Sequence, residues 1–200
     1  MISEFNLVIC GVGGQGSILS SHIVGEAAIR EGYHVRVAET YGAAMRGGAV
    51  MGQVRIGRNV QEPLIPTDKA DALVALEPLE ALRRAIRYLS PSGLALFNTR
   101  QLAPIDVNLG RAKYPTLEQV TQKLRMLTRE VAAIDGTSLA EKAGSARTLN
   151  VVMIGALKGS GVFPISEKSL EGAIVERVPP GTQDMNLKAF KLGMEATSRF

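Results

Sequence analysis

From Phe5 the chain reads FNLVIC, a short apolar run ending at glycines, and Ile18, Leu19, Ile23, Val24, Ala27 and Ala28 then return near helical spacing as far as Arg30. The pattern predicts a strand, a glycine loop and a helix. Gly32 breaks that helix, and HVRVAE supplies a β-branched strand from Val35 to about Glu39. Residues 1–39 are therefore expected to form a βαβ unit, with parallel strands and a right-handed crossover.

Further along, AVMGQVRI places Val50, Gly52, Val54 and Ile56 on one face and Met51, Gln53 and Arg55 on the other, which reads as a strand with one wetter face. EPLIPTD interrupts with two prolines. ADALVAL reads as a buried strand, Leu79, Leu82, Ile86 and Leu89 mark one face of a helix, and GLALFN (Gly93 to Asn98) gives another strand. Between Gln101 and Arg129 the pattern weakens, with TLEQVTQKLRML as an amphipathic stretch among segments that read as loop. EVAAIDG is the last strand, SLAEKAG a short helix, and Leu149, Val152, Met153 and Ala156 mark the next helix. Ser166 caps a helix near Lys168 to Glu176, VPPGT ends it, and Met185, Ala189, Leu192 and Ala196 run along a final helix. The βα alternation predicts an α/β fold, a mainly parallel, Rossmann-like sheet flanked by helices. With no internal repeat in 200 residues, one domain over 1–200 is expected.

Composition narrows the function classes. Hydrophobic residues make up 46% and charged residues 21%, so the chain has the material for a folded core. Absence of Trp and scarcity of Tyr and Phe argue against a surface that stacks single-stranded nucleic acid. The net charge of +4 is spread along the chain, which suits an ordinary solvated surface, an anionic ligand or an acidic partner. Cys10, the single cysteine, leaves no thiolate set for an iron–sulfur cluster. The N-terminus lacks a basic segment followed by an apolar stretch, and no apolar run approaches the ~20 residues of a membrane span, so a cytoplasmic location without membrane association is expected. No metal-binding set of acids is read, and His22 and His34 read as an ordinary helix residue and a strand-start residue.

Candidate chemistry begins at GVGGQGS. Gly11, Gly13 and Gly16 match G-x-G-x-x-G between a strand and a helix, where bare backbone and a helix N-terminus suit phosphate. Glu39 stands where a ribose-binding carboxylate is expected. The same glycines are also what a tight strand-to-helix turn needs with nothing bound. Gly14 and Ser17 extend the likeness to the G-x-G-G-x-G-S loop of ubiquitin-activating-type adenylyltransferases, though the polar residues those enzymes carry after the second strand are missing. In their place stands ETYGAAMRGGAV, whose Arg46 can present a fork of donors to a carboxylate or phosphate, or else lie on the surface above a flexible Gly47-Gly48 turn.

The two loops together resemble the opening of the gamma-type subunits of 2-oxoacid:ferredoxin oxidoreductases, including the subunit that partners the large chain of indolepyruvate oxidoreductase. The likeness continues through ADALVALEP, SGLALFN and ARTLNVVMIGAL to NLKAFKLGMEA and is weakest near residues 100–128. The matching positions are Gly11, Gly13, Gly14, Gln15 and Gly16, then Glu39, Tyr41, Gly42, Arg46, Gly47 and Gly48. Ala43-Ala44 departs from the polar residues many members carry, which puts substrate-specific contacts there in doubt. The resemblance implies a subunit, inactive alone, of an enzyme that oxidatively decarboxylates a 2-oxoacid to an acyl-coenzyme A and reduces ferredoxin. It also implies that thiamine diphosphate, magnesium and iron–sulfur clusters sit in partner subunits. Both loops would then face the thiamine-binding subunit, coenzyme A would be the candidate ligand at the shared site, and the chain would be part of a hetero-oligomer, or a homodimer when isolated. The alternatives left open are a free-standing NAD(P)-dependent oxidoreductase using the glycine loop and Glu39, an adenylyltransferase, and an assembly subunit without a ligand.

Overall fold

The computed structural model describes residues 2–42 and 47–198. Six strands, β1 (Glu4–Val12), β2 (His34–Tyr41), β3 (Ala49–Gly57), β4 (Ala70–Ala75), β5 (Leu89–Asn98) and β6 (Glu130–Ile134), form one sheet in the order β2-β3-β1-β4-β5-β6. β1, β4, β5 and β6 run parallel to one another, and β3 is antiparallel to both β1 and β2. The helices are α1 (Ser17–Arg30), α2 (Pro78–Tyr88), α3 (Ile105–Asn108), α4 (Leu117–Leu127), α5 (Gly136–Ala143), α6 (Leu149–Gly159), α7 (Glu167–Arg177) and α8 (Gln183–Thr197). None of the described helices is long and apolar enough to cross a membrane.

Alternation along β1 divides the interior. Leu7 and Ile9 point into a core shared with α1, α5, α6, α7 and α8, whereas Val8 and Cys10 point into a second core under α2 and α4. Both faces of the sheet are therefore covered, which explains the nearly continuous apolar runs of β1, β4 and β5. α6 is buried all round from Leu149 to Leu157, wedged between the sheet and α8. Its contact with α8 is so close that a Cβ on Gly193 would lie 2.0 Å from the carbonyl oxygen of Val152.

The structure alters four details of the sequence reading. β1 and β2 point the same way, as expected, but β3 lies between them, so they are not paired. β3 has no wet face: Met51 and Gln53 are buried, Gln53 Oε1 accepting the amide of Ile65 at 2.8 Å, and only Arg55 reaches outward, to Glu4. On α2 the inward stripe is Ala81, Ala85 and Tyr88, while Ile86 is exposed and Leu89 opens β5. On α8 the inward stripe is Asn186, Ala189, Phe190, Gly193 and Thr197, one position round from the Met185, Leu192 and Ala196 edge. Local signals elsewhere set the boundaries. Glu77 caps α2 ahead of Pro78, Thr116 and Gln119 form a capping box on α4, Asp135 caps α5, and Ser166 caps α7 as its sequence indicates.

Candidate functional site

The glycine loop is shaped by its own glutamine. Gln15 turns back beneath the loop, its Oε1 accepting the Val12 amide at 2.7 Å and its Nε2 donating to the Leu76 carbonyl at 2.9 Å. The side chain thereby pins the end of β1 to the end of β4. Leu76 also receives Asn98 Nδ2 at 3.2 Å; the same Nδ2 of fully buried Asn98 donates to Thr137 Oγ1 at 3.1 Å, and its Oδ1 accepts the Thr137 amide at 3.3 Å. A polar lattice therefore ties together the carboxyl ends of four parallel strands, where open α/β sheets take their ligands. At Gly16 the backbone is left-handed, with φ of 87°, and an added Cβ would stand 2.9 Å from Asn150 Cγ on α6. The third glycine is thus required by its dihedral and by a buried neighbour. α1 begins at Ser17 with no side-chain cap, leaving its first-turn amides without such a partner.

Beside this loop lies an open cavity of about 470 Å³, lined by Gly14, Gln15, Gly16, Arg100, Arg147 and Asn150 among others. Arg100 follows β5, Arg147 sits in a 3-10 turn over Ala146–Thr148, and Asn150 is the second residue of α6. Two guanidinium groups, a glycine loop and an uncapped helix end combine anion-binding features of different origin. The sequence reading singled out neither arginine nor Asn150. One signal was present: Asn150 is a polar residue in the first turn of a helix that is apolar as far as Leu157.

The second loop meets the first. The Gly13 amide donates to Gly48 at 2.8 Å, and the Gly42 amide donates to Ala49 at 2.9 Å, so Gly42, Gly47 and Gly48 flank the entry to β3 beside the glycine loop. Arg46, with Ala43, Ala44 and Met45, lies outside the described residues. Tyr41 is 62% exposed and borders a small depression with Gly13, Gly14, Ile18 and Val50. Its hydroxyl donates to Glu39 Oε2, and that bond raises the phenol above its ordinary pKa. Glu39 Oε1 lies 2.8 Å from His22 Nε2 on α1. The carboxylate read as a ribose ligand therefore accepts a hydrogen bond from Tyr41 and has His22 close to its buried other oxygen, which accepts none, and the whole of β3 separates it from β1.

On the other side of the glycine loop, a cavity of about 340 Å³ is bordered by Gly13, Gly47, Glu77, Arg83, Leu102 and Pro104. Glu77 and Glu80 are buried there, Glu80 between Arg83 at 2.6 Å and Arg84 at 3.4 Å. Cys10 is fully buried below, and burial pushes its thiol well above the usual range, the chemistry of an inert core residue.

Residues 6–196 match the family described as Pyruvate ferredoxin/flavodoxin oxidoreductase. The chain is 42% identical, over 98% of its length and 96% of the relative's, to the indolepyruvate oxidoreductase subunit IorB of Thermococcus kodakarensis. The gamma subunit of a keto/oxoacid ferredoxin oxidoreductase from Geobacter sulfurreducens has the same fold, with a TM-score of 0.71, 27% identity and coverage of 98% of this chain and 99% of that one. The fold recurs, with a TM-score of 0.73 and 22% identity, in a 2-oxoglutarate:ferredoxin oxidoreductase from Magnetococcus marinus solved with 2-oxoglutarate, coenzyme A and succinyl-CoA bound; this chain is wholly covered and corresponds to 32% of that one. From the matched span, which takes in both glycine loops, five whole strands and all but the first two residues of β1, the chain belongs to the pyruvate ferredoxin/flavodoxin oxidoreductase family.

Proposed function

We propose that this chain is the gamma-type subunit of a 2-oxoacid:ferredoxin oxidoreductase, that it works only when assembled with a thiamine-binding subunit, and that it binds the phosphate groups of coenzyme A. The observation that carries the last step is the cavity between the glycine loop, Arg100 and Arg147. Its lining suits a polyanion: the α1 end and Gly14–Gly16 backbone for a pyrophosphate, the arginines for further negative charge. Coenzyme A supplies the thiol that accepts the acyl group as a thioester. Arg100, Arg147 and the loop amides bind and orient it, and Asn150 braces the loop by donating to the Gly16 carbonyl at 3.5 Å. The exposed Tyr41 and the Gly42–Gly48 loop face the thiamine-binding subunit in this reading. Thiamine diphosphate, magnesium and iron–sulfur clusters belong to the partners, with ferredoxin as the acceptor. The relative's name makes an aryl-bearing 2-oxoacid such as indolepyruvate the first substrate to test.

The test is steady-state kinetics of the anaerobically purified complex carrying R147A or R100A. The expected result is a rise of at least tenfold in the KM for coenzyme A with the KM for the 2-oxoacid unchanged. An unchanged coenzyme A KM in both variants, or normal turnover by the chain alone, overturns the proposal.

A further inference from the structure

Glu77 is 1% exposed, and its two carboxylate oxygens face three parts of the fold. Oε2 accepts the Glu80 amide at 2.9 Å, capping α2. Oε1 accepts the Leu102 amide at 3.3 Å and the hydroxyl of Tyr114, whose oxygen in turn accepts the Leu79 amide at 3.2 Å. A carboxylate withdrawn from water this far is tolerable only when donors occupy it, so each of these partners is held firmly.

The position of Glu77 in the chain matters as much as its contacts. It follows Leu76, whose carbonyl receives Gln15 from the glycine loop. The Leu76–Glu77 corner thus grips the glycine loop through its backbone and the segment after β5 through its side chain. That segment leaves the sheet with the Thr99 amide on the Ile134 carbonyl at 2.9 Å, and the next described bond tying it to the rest of the fold is Leu102 to Glu77. Arg100 lies between these two anchors. Leu102 borders both the 470 Å³ and the 340 Å³ cavities, so its amide anchor fixes the wall they share.

We infer that Glu77 is a positioning residue for coenzyme A: by holding the Leu102 amide it sets where Arg100 stands relative to the glycine loop. The inference rests on the coenzyme A reading above. Glu77 touches no ligand in this scheme and acts through Arg100.

Two variants test it in the assembled complex. E77A removes every acceptor, whereas E77Q keeps the shape and one oxygen for Leu102 and Tyr114. Loss of one net hydrogen bond changes a local opening equilibrium by about tenfold. Hydrogen exchange across residues 99–104 is therefore expected to quicken about tenfold in E77A and to stay near the parent rate in E77Q. The coenzyme A KM is expected to rise about tenfold in E77A and recover in E77Q, with the 2-oxoacid KM and kcat unchanged. Unchanged exchange in E77A overturns the clamp, whatever the ligand. Quickened exchange with an unchanged coenzyme A KM, while R147A raises that KM, overturns the positioning role alone. If none of E77A, R147A and R100A moves the KM, the coenzyme A reading falls and the role given to Glu77 falls with it.

Discussion

The amide of Gly13 donates to the carbonyl of Gly48 across 2.8 Å. This one bond joins the two loops whose motifs stand apart in sequence, and its position follows from the β1–β3 ladder, which pairs Val12 with Ala49 at the carboxyl end of β1. Because both groups are backbone, the junction depends on strand register rather than on any side chain. Register is well specified here because both faces of β1 and β3 are buried, and a one-residue slip would exchange the two cores.

Gln15 is the side chain on which the loop depends, through its acceptor toward Val12 and its donor toward Leu76. Q15E keeps the first bond and sets a carboxylate oxygen against the Leu76 carbonyl, turning a hydrogen bond into a repulsion. The expected cost is about 2–3 kcal/mol of stability, with a raised coenzyme A KM. Thermal unfolding of the complex checks it, and a Q15E melting curve coincident with the parent would remove the glutamine from this role.

Gly16→Ala meets two obstacles, the left-handed φ of 87° and Asn150 at 2.9 Å. Together they are expected to cost about 2–4 kcal/mol. Trimming the neighbour separates them: N150A removes Cγ and Nδ2 but leaves Cβ 3.1 Å from the new methyl, so G16A/N150A should recover some of the contact part relative to the sum of the single variants and keep the dihedral part. A double-mutant cycle reads this directly, and strict additivity would show that the two residues do not press on each other.

Asp71 offers a pH prediction with a definite sign. Its Oδ2 accepts the Asn6 amide at 2.7 Å. Burial, aided by the charge of Glu4, raises its pKa above 3.8. A carboxyl raised in the folded state contributes most at low pH, and its contribution falls as pH rises through the folded value. D71N keeps an oxygen for the Asn6 amide and has no charge to desolvate. The variant should therefore melt higher than the parent near neutral pH, with the difference closing as pH falls toward 3.8. Melting curves at both ends of that range decide it; a constant difference would mean that ionisation of Asp71 is not its cause.

What was legible in the sequence was local and periodic. FNLVIC, GVGGQGS and the helix to Arg30 could be read because strand, turn and helix signals followed one another without overlap. The place of β3 could not, because periodicity gives a strand's faces and not its neighbours. α2 misled for a related reason. Ala81 and Ala85 bury as well as leucine in a tight seam against the sheet, so counting large residues chose the wrong side and took exposed Ile86 for core. Arg100, Arg147 and Glu77 escaped notice because each lies at a different strand or helix end, and only the assembled sheet brings their segments to the two cavities that Leu102 borders. Glu77-Pro78 carried a cap signature that pointed to structure, and its reach to Leu102 is a tertiary fact.

The α6–α8 seam yields a large and unambiguous stability prediction. A methyl on Gly193 would stand 2.0 Å from the Val152 oxygen and 2.9 Å from the Ala156 nitrogen, and one on Gly155 would stand 2.0 Å from the Phe190 oxygen. These are backbone atoms of helices packed on each other, and α6 is buried from Leu149 to Leu157, so it has no free side toward which to move. Separating the helices enough to admit the methyl would also open the packing around Met153 and Phe190, both fully buried. G193A is therefore expected to cost 3 kcal/mol or more, roughly a 10 °C fall in Tm for a chain of this size. Gly161 is the control. Its φ is positive, at 77°, unlike that of helical Gly193, and an added Cβ meets nothing within 4 Å, so G161A should cost only about 1 kcal/mol of dihedral strain. Melting the two variants side by side separates close approach from conformation. Equal losses would mean that the seam can part to admit the methyl.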